Sequence, residues 1–455
     1  MRKELLQKYN IPVPRYTSYP PANFFHEGIS NETYQQAIVD SNTATPQHIS
    51  FYVHIPFCKH LCHYCGCNSF PMMRPEVVDR YIKALHREID LVKPLLDSGR
   101  KIAQIHYGGG SPTAMPVELI KELNDHMLQG FNTIENPEIA IECHPGYLTE
   151  KDWQNLTEAK FTRFSLGVQD FNEDVLKVVN RRPSLLPIEM VFQILREHHA
   201  KINMDFIYGL PYQTPASFAA TIERAAALKP DRMVTFSYAH VPWVNKRQLI
   251  LEKAGLPASD DKSKMYDEAV RIMHGAGYQS IGLDHFVRET DELYTALTTH
   301  KLHRNFQGYC TRRTTGQVYA FGVTGISQLN AGYTQNSKDI NQYMNQIEQG
   351  RFAVAKGYAL NRDEQITRAV IDILMCNYHL NWNDVAHYLD ISVEEVKAAT
   401  AYNEGILKAF ADDGIIVWDA DSLSMTSEGR LFVRNVAASL DKLMLHTTKS
   451  FSKPV

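Results

Sequence analysis

The middle of the chain, from about residue 48 to residue 290, alternates between short apolar runs and amphipathic helical segments. Repeated strand–helix units of this kind predict a parallel sheet with right-handed crossovers. Six or so strands with functional residues at their ends fit an α/β barrel or partial barrel, whose sites collect at the carboxyl ends of the strands. The predicted strands are His48–Ile55, Ile102–Tyr107, Glu138–Glu142, Arg163–Gly167, Lys201–Ile207 and Arg232–Tyr238.

Two of the intervening helices have clear start signals. Pro75 and Pro116 each stand where the first turn of a helix tolerates proline. Apolar residues then recur at helical spacing, which predicts one buried face on each helix. These faces are Val78, Ile82, Leu85, Ile89 and Val92 in the first helix, and Val117, Ile120, Leu123 and Met127 in the second.

The regions on either side of the barrel follow other patterns. Residues 1–47 are expected to form an irregular arm, packed on the main body, with one helix over Asn31–Asp40. We assign residues 48–290 to the barrel, 291–359 to a barrel extension and connecting segment, and 360–455 to a mostly helical, winged-helix-like domain. In this last region the patterns predict helices over Asp363–Asn377, Trp382–Leu389 and Val393–Phe410, a hairpin from Gly414–Trp418 and Ser422–Thr426, and a final helix.

Bulk composition excludes several classes of protein. The 455 residues include 22% charged and 44% apolar ones, which is ordinary for a globular chain of two or three domains. A net charge of −4 gives no general reason to expect nucleic acid or a membrane as partner. The first residues lack the apolar run of a secretory signal. These observations predict a soluble, cytoplasmic protein.

Four of the seven cysteines fall within ten residues, at Cys58, Cys62, Cys65 and Cys67. The C-x3-C-x2-C spacing lets one loop supply three thiolates to an iron–sulfur cluster. Three ligands for four irons leave one iron open, and that iron can chelate the amino and carboxylate groups of S-adenosylmethionine. A structural zinc site with four thiolates and a four-cysteine electron-transfer cluster are the alternatives.

A glycine-rich segment follows one strand–helix unit later, as His106-Tyr-Gly108-Gly-Gly110-Ser-Pro-Thr113. Glycines at the end of a strand permit positive φ and close approach of the backbone to a ligand. The segment is a weak signal alone and a strong one after the cysteine loop. It is a candidate site for the methionine ammonium group.

With both motifs in place, the chain resembles the radical S-adenosylmethionine family, and more narrowly the oxygen-independent coproporphyrinogen III oxidases. The resemblance covers nearly the whole chain. Besides the cysteine loop with its Cys67 extension, it rests on Arg15-Tyr-Thr-Ser-Tyr-Pro20, Gly167-Val-Gln-Asp-Phe-Asn172, Val179-Asn-Arg181, Asp205-Phe-Ile-Tyr-Gly-Leu-Pro211, Tyr238-Ala-His240, Asp284-His285-Phe286, His303-Arg-Asn-Phe-Gln-Gly-Tyr309 and the tail Phe451-Ser-Lys-Pro-Val455.

The resemblance implies a radical SAM partial (β/α)6 TIM-like barrel and the conversion of coproporphyrinogen III to protoporphyrinogen IX in heme biosynthesis. It implies a [4Fe-4S] cluster on Cys58, Cys62 and Cys65, two molecules of S-adenosylmethionine, and a catalytic, non-ligating role for Cys67. The implied contacts to S-adenosylmethionine are Tyr52, Tyr64, Gly109, Gly110, Ser111, Glu142, Gln169, Arg181, Asp205, Ala239 and Ile326.

Three of these side chains have evident chemical roles. Asp205 and Glu142 stand at or near strand ends and can accept hydrogen bonds from ribose hydroxyls or the ammonium group. Arg181 can pair with the methionine carboxylate through its forked donors. Without the resemblance, Asp205 is better interpreted as an ordinary strand-end carboxylate and Arg181 as a solvated helix residue.

Departures from the family pattern bear on the substrate more than on the cofactors. Cys143-His144-Pro145 replaces a small residue and aspartate before proline, and the loop Val241-Pro-Trp243-Val-Asn245 is bulkier. The segment after Tyr309 is more basic, and its Arg312 and Arg313 can bind propionates or serve as exposed charge.

Three alternatives to a coproporphyrinogen oxidase stay open at this point. They are a heme-binding chaperone of the same superfamily, a radical enzyme acting on heme itself, and a nucleic-acid-binding iron–sulfur protein. The acidic C-terminal region opposes the last. The expected partners are the tetrapyrrole and a low-potential donor such as a flavodoxin or ferredoxin, and nothing in the sequence demands an oligomer.

Overall fold

The computed structural model describes residues 3–282, 284–311 and 317–452. The N-terminal arm contains the helix predicted over Asn31–Asp40 (α2) and a further helix, α1 (Lys3–Tyr9), which the sequence reading missed. The expectation of only one helix in the arm is therefore wrong. The first helix forms because its apolar residues, including Leu5, pack on the C-terminal region.

The central region consists of alternating strands and helices. In chain order they are β1 (His48–Ile55), β2 (Phe57–Cys58), β3 (Phe70–Pro71), α3 (Pro75–Val92), β4 (Lys101–Gly109), α4 (Val117–Gly130), β5 (Thr133–Cys143), α5 (Glu150–Glu158), β6 (Arg163–Gln169), α6 (Glu173–Val178), α7 (Ile188–Glu197), β7 (Lys201–Tyr208), α8 (Pro215–Ala227), β8 (Arg232–Ser237), α9 (Gln248–Ala254), α10 (Ser259–Gly275), β9 (Tyr278–Ile281) and β10 (His285–Arg288).

The chain then extends the same sheet and continues into a C-terminal region. The extension contains α11 (Glu292–Thr298), β11 (Leu302–Asn305), β12 (Gly308–Thr311), β13 (Val318–Phe321), β14 (Ile326–Leu329), β15 (Gly332–Asn336), α12 (Ile340–Glu348) and β16 (Val354–Ala359). The C-terminal region contains α13 (Arg362–Asn377), β17 (His379–Asn381), α14 (Trp382–Leu389), α15 (Val393–Ala399), α16 (Glu404–Asp412), β18 (Ile416–Trp418), β19 (Ser422–Met425) and α17 (Val433–Ser439).

One twelve-stranded sheet organises the molecule, in the order β16-β15-β14-β13-β1-β4-β5-β6-β7-β8-β10-β9. The seven strands from β13 to β8 run parallel, and the strands outside them are antiparallel. Among the described residues the two edge strands do not pair, so the barrel is open. The six predicted barrel strands are β1 and β4 to β8, which confirms the α/β fold class. The parallel strand β13 was not predicted.

Burial explains why the barrel helices lie where they do. The predicted face of α3 is buried against the sheet at Val78, Ile82, Leu85, Ile89 and Val92. Pro75 occupies the first helical turn, where no backbone donor is lost. These side chains belong to one continuous apolar core that contains strand residues such as Phe51 and Ile105.

The C-terminal region differs from the prediction in one helix. The helix expected over Val393–Phe410 is two helices, α15 and α16, because Thr400 leaves the helical conformation and Asn403 caps the second helix by accepting a hydrogen bond from the backbone N–H of Ile406. The hairpin of β18 and β19 is confirmed, and β17 adds a third strand to it. The region is mostly helical, as expected.

The arm packs on this C-terminal region. Tyr16 donates a hydrogen bond to Asp441 at 2.9 Å, and the Arg434 guanidinium donates to the carbonyls of Val13 and Pro14. Tyr16 and Tyr19 are both buried. The assigned domain boundaries stay predictions, since these contacts join the arm and the C-terminal region in one apolar cluster.

Candidate active site

A cavity of about 430 Å³ opens at the carboxyl ends of the barrel strands. Its lining includes the cysteine loop after β1, the glycine loop after β4, and the ends of β5 to β8. In a parallel barrel these ends meet at one face, which is where such folds build active sites. The predicted site residues that line the cavity are Cys58, Cys62, Cys65, Cys67, Tyr64, Gly109, Gly110, Ser111, Glu142, Gln169, Arg181 and Asp205.

The cysteine loop is fixed to the barrel by backbone hydrogen bonds. The N–H of Gly110 donates to the carbonyl of Ile55 at 2.8 Å, and the N–H of Ser111 donates to that of Phe57 at 3.0 Å. A Cβ on Gly110 would lie 2.7 Å from the Pro56 carbonyl and 2.9 Å from the Cys58 sulfur. Only glycine therefore lets the two loops approach this closely, which explains the motif at this position.

None of the seven cysteines, all of which lie among the described residues, forms a disulfide. Burial, reinforced by Cys65 and Cys62, raises the pKa of the Cys58 thiol to about 12. A hydrogen bond with Cys67 lowers the pKa of Cys65 to about 6, and the same contact raises that of Cys67. Iron binding must displace the protons of such thiols.

The donor set fits an iron–sulfur cluster better than a single ion. Among the described residues, no group of three or more His, Cys, Asp or Glu side chains converges closely enough to hold one metal ion. A cubane needs no such convergence, because each thiolate binds a different iron. Cys58, Cys62 and Cys65 line one cavity from one loop, as a three-thiolate cluster site requires.

Arg181 lies between the cysteine loop and β6. Its guanidinium donates to the Tyr64 hydroxyl at 3.2 Å and to the carbonyl of Gly167, and it lies 3.6 Å from the Cys62 sulfur. Burial disfavours its charge, but Tyr64 and Cys62 hold the pKa of Arg181 above its usual value. The arginine is thus a cation beside the thiolates, and the solvated-arginine interpretation is wrong.

Gln169 has two features of a ligand-binding residue. It ends β6 with φ of 69°, in the left-handed region that only the surrounding structure can enforce on a glutamine. Its Oε1 is buried without a hydrogen-bond partner in the structure. Buried polar atoms normally have partners, so this oxygen is a candidate acceptor for a donor on a bound group.

Two carboxylates, those of Glu142 and Asp205, line the cavity toward the carboxyl ends of the strands. The Oε1 of Glu142 lies 2.9 Å from Nε2 of His106, and Ser165 donates to Asp205 at 2.9 Å. Burial raises the pKa of Asp205 to about 6, against the opposing hydrogen bond of Ser165. Both side chains can accept hydrogen bonds from a cationic or hydroxylated ligand.

Three predicted residues do not line the cavity. Tyr52 stacks on His106, with ring centroids 5.9 Å apart, and so supports the wall. The carbonyl of Ala239 accepts from Gln248, which also donates to the Tyr64 carbonyl. Ile326 lies on β14, beyond β13 from the barrel strands.

Only some of the residues that depart from the family pattern line the cavity. Cys143 and His144 both line the cavity, and burial, with Arg181 next, lowers the pKa of His144 to about 2. Trp243 is 79% exposed outside the cavity. Arg312 and Arg313 lie outside the described residues.

Several cavity residues were missed by sequence reasoning. The hairpin of β11 and β12 contributes Asn305 and Tyr309, and β10 contributes His285. A polar layer lies on the strands deeper in the cavity, at Gln104, Glu138, Arg163, Asn203 and Arg232, of which Gln104, Arg163 and Arg232 are buried. The alternation of polar residues along each strand is the signal for it, because every second residue of a barrel strand faces inward.

The chain is similar to known proteins along nearly its whole length. Residues 52–225 match the family model of the Radical SAM superfamily. The oxygen-independent coproporphyrinogen III oxidase of Synechocystis sp. is 36% identical over 99% of this chain and 97% of its own length. That of Escherichia coli is 38% identical over 96% of this chain and 94% of its own.

A solved structure agrees with these relatives. The coproporphyrinogen III oxidase of Escherichia coli, described as a radical SAM enzyme, superposes with a TM-score of 0.86 at 36% identity. It covers 94% of this chain and 97% of the other. The fold and the cysteine loop thus define a radical SAM enzyme, with a [4Fe-4S] cluster and S-adenosylmethionine as cofactors. Within that class, the chain belongs to the oxygen-independent coproporphyrinogen III oxidase family.

Proposed function

We propose that this enzyme converts coproporphyrinogen III to protoporphyrinogen IX by oxidative decarboxylation of two propionates, without oxygen, in heme biosynthesis. The observation that carries the proposal is the convergence of the three cysteines and eight of the residues implied for S-adenosylmethionine around one cavity. Full-length membership of the family supports the substrate.

We assign Cys58, Cys62 and Cys65 as the ligands of the cluster. When bound, the cluster supplies the electron that cleaves S-adenosylmethionine to methionine and a 5′-deoxyadenosyl radical. Arg181 lies beside Cys62, where it can pair with the methionine carboxylate. We assign no ligand role to Cys67, whose thiol contacts that of Cys65, and place it on the substrate side as a catalytic group.

The remaining contacts to S-adenosylmethionine follow from position and chemistry. The backbone of Gly109, Gly110 and Ser111 forms an edge beside the cysteine loop. Gln169, Glu142 and Asp205 offer acceptors to the ammonium and ribose groups. We keep Tyr64, Tyr52, Ala239 and Ile326 as contacts, of which Tyr64 lines the cavity and the others need a ligand that extends beyond it.

The tetrapyrrole is proposed to bind toward the β11–β12 hairpin. Arg304 has a buried Nε without a hydrogen-bond partner, and its guanidinium lies 4.9 Å from the ring centroid of Tyr309. His285 packs against the same ring at 5.1 Å. A substrate with four carboxylates suits Tyr309 and His285 in the cavity wall, with Arg304 behind the tyrosine ring. The 5′-deoxyadenosyl radical takes a hydrogen atom from the propionate β-carbon and becomes 5′-deoxyadenosine. The substrate radical then loses carbon dioxide and passes one electron to an external one-electron acceptor, which leaves the vinyl group.

The setting of the reaction is also a proposal. Low-potential reduction requires a donor such as a flavodoxin or ferredoxin. Among the described residues, no helix is long and apolar enough to cross a bilayer. The described residues, which include all seven cysteines, contain no disulfide, in keeping with a reducing compartment, and we place the enzyme in the cytoplasm as a monomer.

Anaerobic turnover tests this function. The cluster-loaded protein is incubated with S-adenosylmethionine, reductant and coproporphyrinogen III. The products are separated by chromatography and identified by mass spectrometry. The proposal expects protoporphyrinogen IX and 5′-deoxyadenosine. If 5′-deoxyadenosine forms without decarboxylation, the substrate is wrong. A tightly bound heme with neither product points to the chaperone, and products from heme point to the heme-modifying enzyme.

A further inference from the structure

The loop after β8 exposes an unusual amount of apolar surface. Trp243 is 79% exposed, Val244 73%, Ile250 46% and Leu249 42%. Four large apolar side chains thus lie exposed within eight residues, whereas most other exposed ones in the described chain are scattered singly, as is normal. We name these four residues the 243–250 ridge.

The ridge is joined directly to the cysteine loop. Asn245 donates through its side chain to the carbonyl of Cys65 at 2.7 Å. Gln248 donates to the carbonyl of Tyr64 at 3.1 Å. Both bonds come from residues of the 243–250 segment, so this segment packs directly against the cysteine loop.

The ridge belongs to the outer surface and not to the substrate cavity. None of its four residues lines that cavity. The side chains of Gln248 and Leu251 are buried and fix α9 to the body of the protein. The exposed side chains of the ridge on this helix are therefore held in place. Apolar residues that are neither core nor cavity wall are typical of a contact surface for another molecule.

Basic groups flank the ridge. Lys246 is exposed, and Arg247 is held by its own backbone and side-chain bonds to the Asn245 oxygen, at 3.1 and 3.4 Å. Lys253 is exposed on α9. The carboxylate of Glu252 faces His240, with Oε2 3.4 Å from Nε2. An apolar centre with a basic rim is complementary to an acidic protein surface.

We propose that the 243–250 ridge, with Lys246 and Arg247, is the docking surface for an acidic low-potential electron carrier that reduces the cluster. The inference rests on the proposed function, because that chemistry consumes an electron from outside. The carrier is oxidised by one electron and the oxidised cluster is reduced by one, with no bond made or broken. Asn245 binds the backbone of Cys65, an assigned cluster ligand, so the ridge segment lies directly beside the cluster loop.

A comparison of two reductants, one that must dock and one that need not, distinguishes loss of docking from damage to the cluster loop. Cluster reduction in the full-length, cluster-loaded enzyme is followed by stopped-flow absorbance, with reduced flavodoxin or with dithionite. Trp243→Ser removes the largest apolar contact, and Lys246→Glu reverses a rim charge. Val417→Ser and Lys121→Glu are the matched controls, since both residues are exposed and lie on β18 and α4.

Trp243→Ser is expected to slow reduction by flavodoxin about tenfold or more, as truncation of an aromatic hot spot does. Lys246→Glu should slow it mainly at low salt, because its effect is electrostatic steering. Reduction by dithionite and both control variants should keep the wild-type rates.

Three results would overturn the inference. Unchanged flavodoxin rates mean that the carrier docks elsewhere. Equal loss with both reductants means that the ridge supports the cluster loop structurally. Unchanged flavodoxin rates with a raised KM for the tetrapyrrole mean that the ridge holds substrate. A wild-type enzyme that is reduced normally but forms no 5′-deoxyadenosine contradicts the proposed function and leaves the docking result intact.

Discussion

Two polar layers face the same cavity and differ in how their hydrogen bonds are satisfied. In the deeper layer, Arg163 donates to Glu138 at 2.8 Å and to Asn203 at 2.9 Å, and Gln104 donates to the other Glu138 oxygen at 2.7 Å. Arg232 binds Asp291 through two bonds of 2.9 and 3.0 Å. We call this set the barrel floor.

The upper layer, at the carboxyl ends of the strands, is left incomplete. Oε1 of Gln169 and Nε2 of His144 are buried without partners. Burial raises the pKa of Asp205, whereas in the floor the guanidinium groups of Arg163 and Arg232 overcome burial and hold the pKa of Glu138 at about 2. A satisfied layer stabilises the barrel, and an unsatisfied one is prepared for ligands.

The largest effect is expected at the cysteines of the upper layer. Cys62→Ala removes one cluster ligand, so iron content, cluster absorbance and 5′-deoxyadenosine formation should all fall to background. Cys376→Ala is the matched control, because this thiol is equally buried but lies in the C-terminal region. Full cluster content in Cys62→Ala would remove this residue from the ligand set.

Breaking the floor should cost stability instead of cofactor binding. Arg163→Met removes the ion-pair partner of the Glu138 carboxylate and leaves only Gln104 and the more distant Arg232 to stabilise it, so the loss of unfolding free energy should approach that of a broken buried pair, about 3–5 kcal/mol. Urea unfolding measures the loss, and S-adenosylmethionine binding to the folded fraction should stay normal. The double variant Arg163→Met/Glu138→Leu should recover part of the stability. A single variant of wild-type stability would show that the floor is not structural.

Gln169→Ala should have the opposite effect to Arg163→Met, because it should weaken cofactor binding without reducing stability. Loss of one hydrogen bond to a ligand weakens S-adenosylmethionine binding by about 1 kcal/mol, roughly fivefold. The free energy of unfolding should stay unchanged or rise, because a buried oxygen without a partner is removed. Calorimetry measures the affinity for S-adenosylmethionine, and urea unfolding measures the stability. Normal affinity with reduced stability would make Gln169 a structural residue.

The smallest effect is a pH dependence of affinity. Since burial raises the pKa of Asp205 to about 6, the free enzyme carries a protonated carboxyl below that pH. The cationic ligand favours the ionised form, so affinity should rise as pH increases through about 6 and then level off. Asp205→Asn should remove this rise. A profile that is the same in both proteins would assign the titration to another group.

The comparison also explains what the sequence could predict. The cysteine and glycine loops are contiguous motifs, and the six barrel strands are short apolar runs, so local pattern predicts both. The floor joins residues on five strands, and its ion pairs depend on which strands neighbour each other. Strand β13 is four residues long and pairs with β1, about 270 residues earlier, and local pattern carries no information on such pairing. The helix break at Thr400 is followed by one capping residue, Asn403, and a single residue of this kind is a weak signal in the sequence.

Deuterium transfer tests the central claim most directly. Coproporphyrinogen III deuterated at the propionate β-carbons is turned over anaerobically, and the 5′-deoxyadenosine is analysed by mass spectrometry. If the cavity brings S-adenosylmethionine at the cysteine loop against the propionates, each product molecule should gain one deuterium. Unlabelled 5′-deoxyadenosine, formed beside an unchanged tetrapyrrole, would show that this cavity does not present a propionate to the radical.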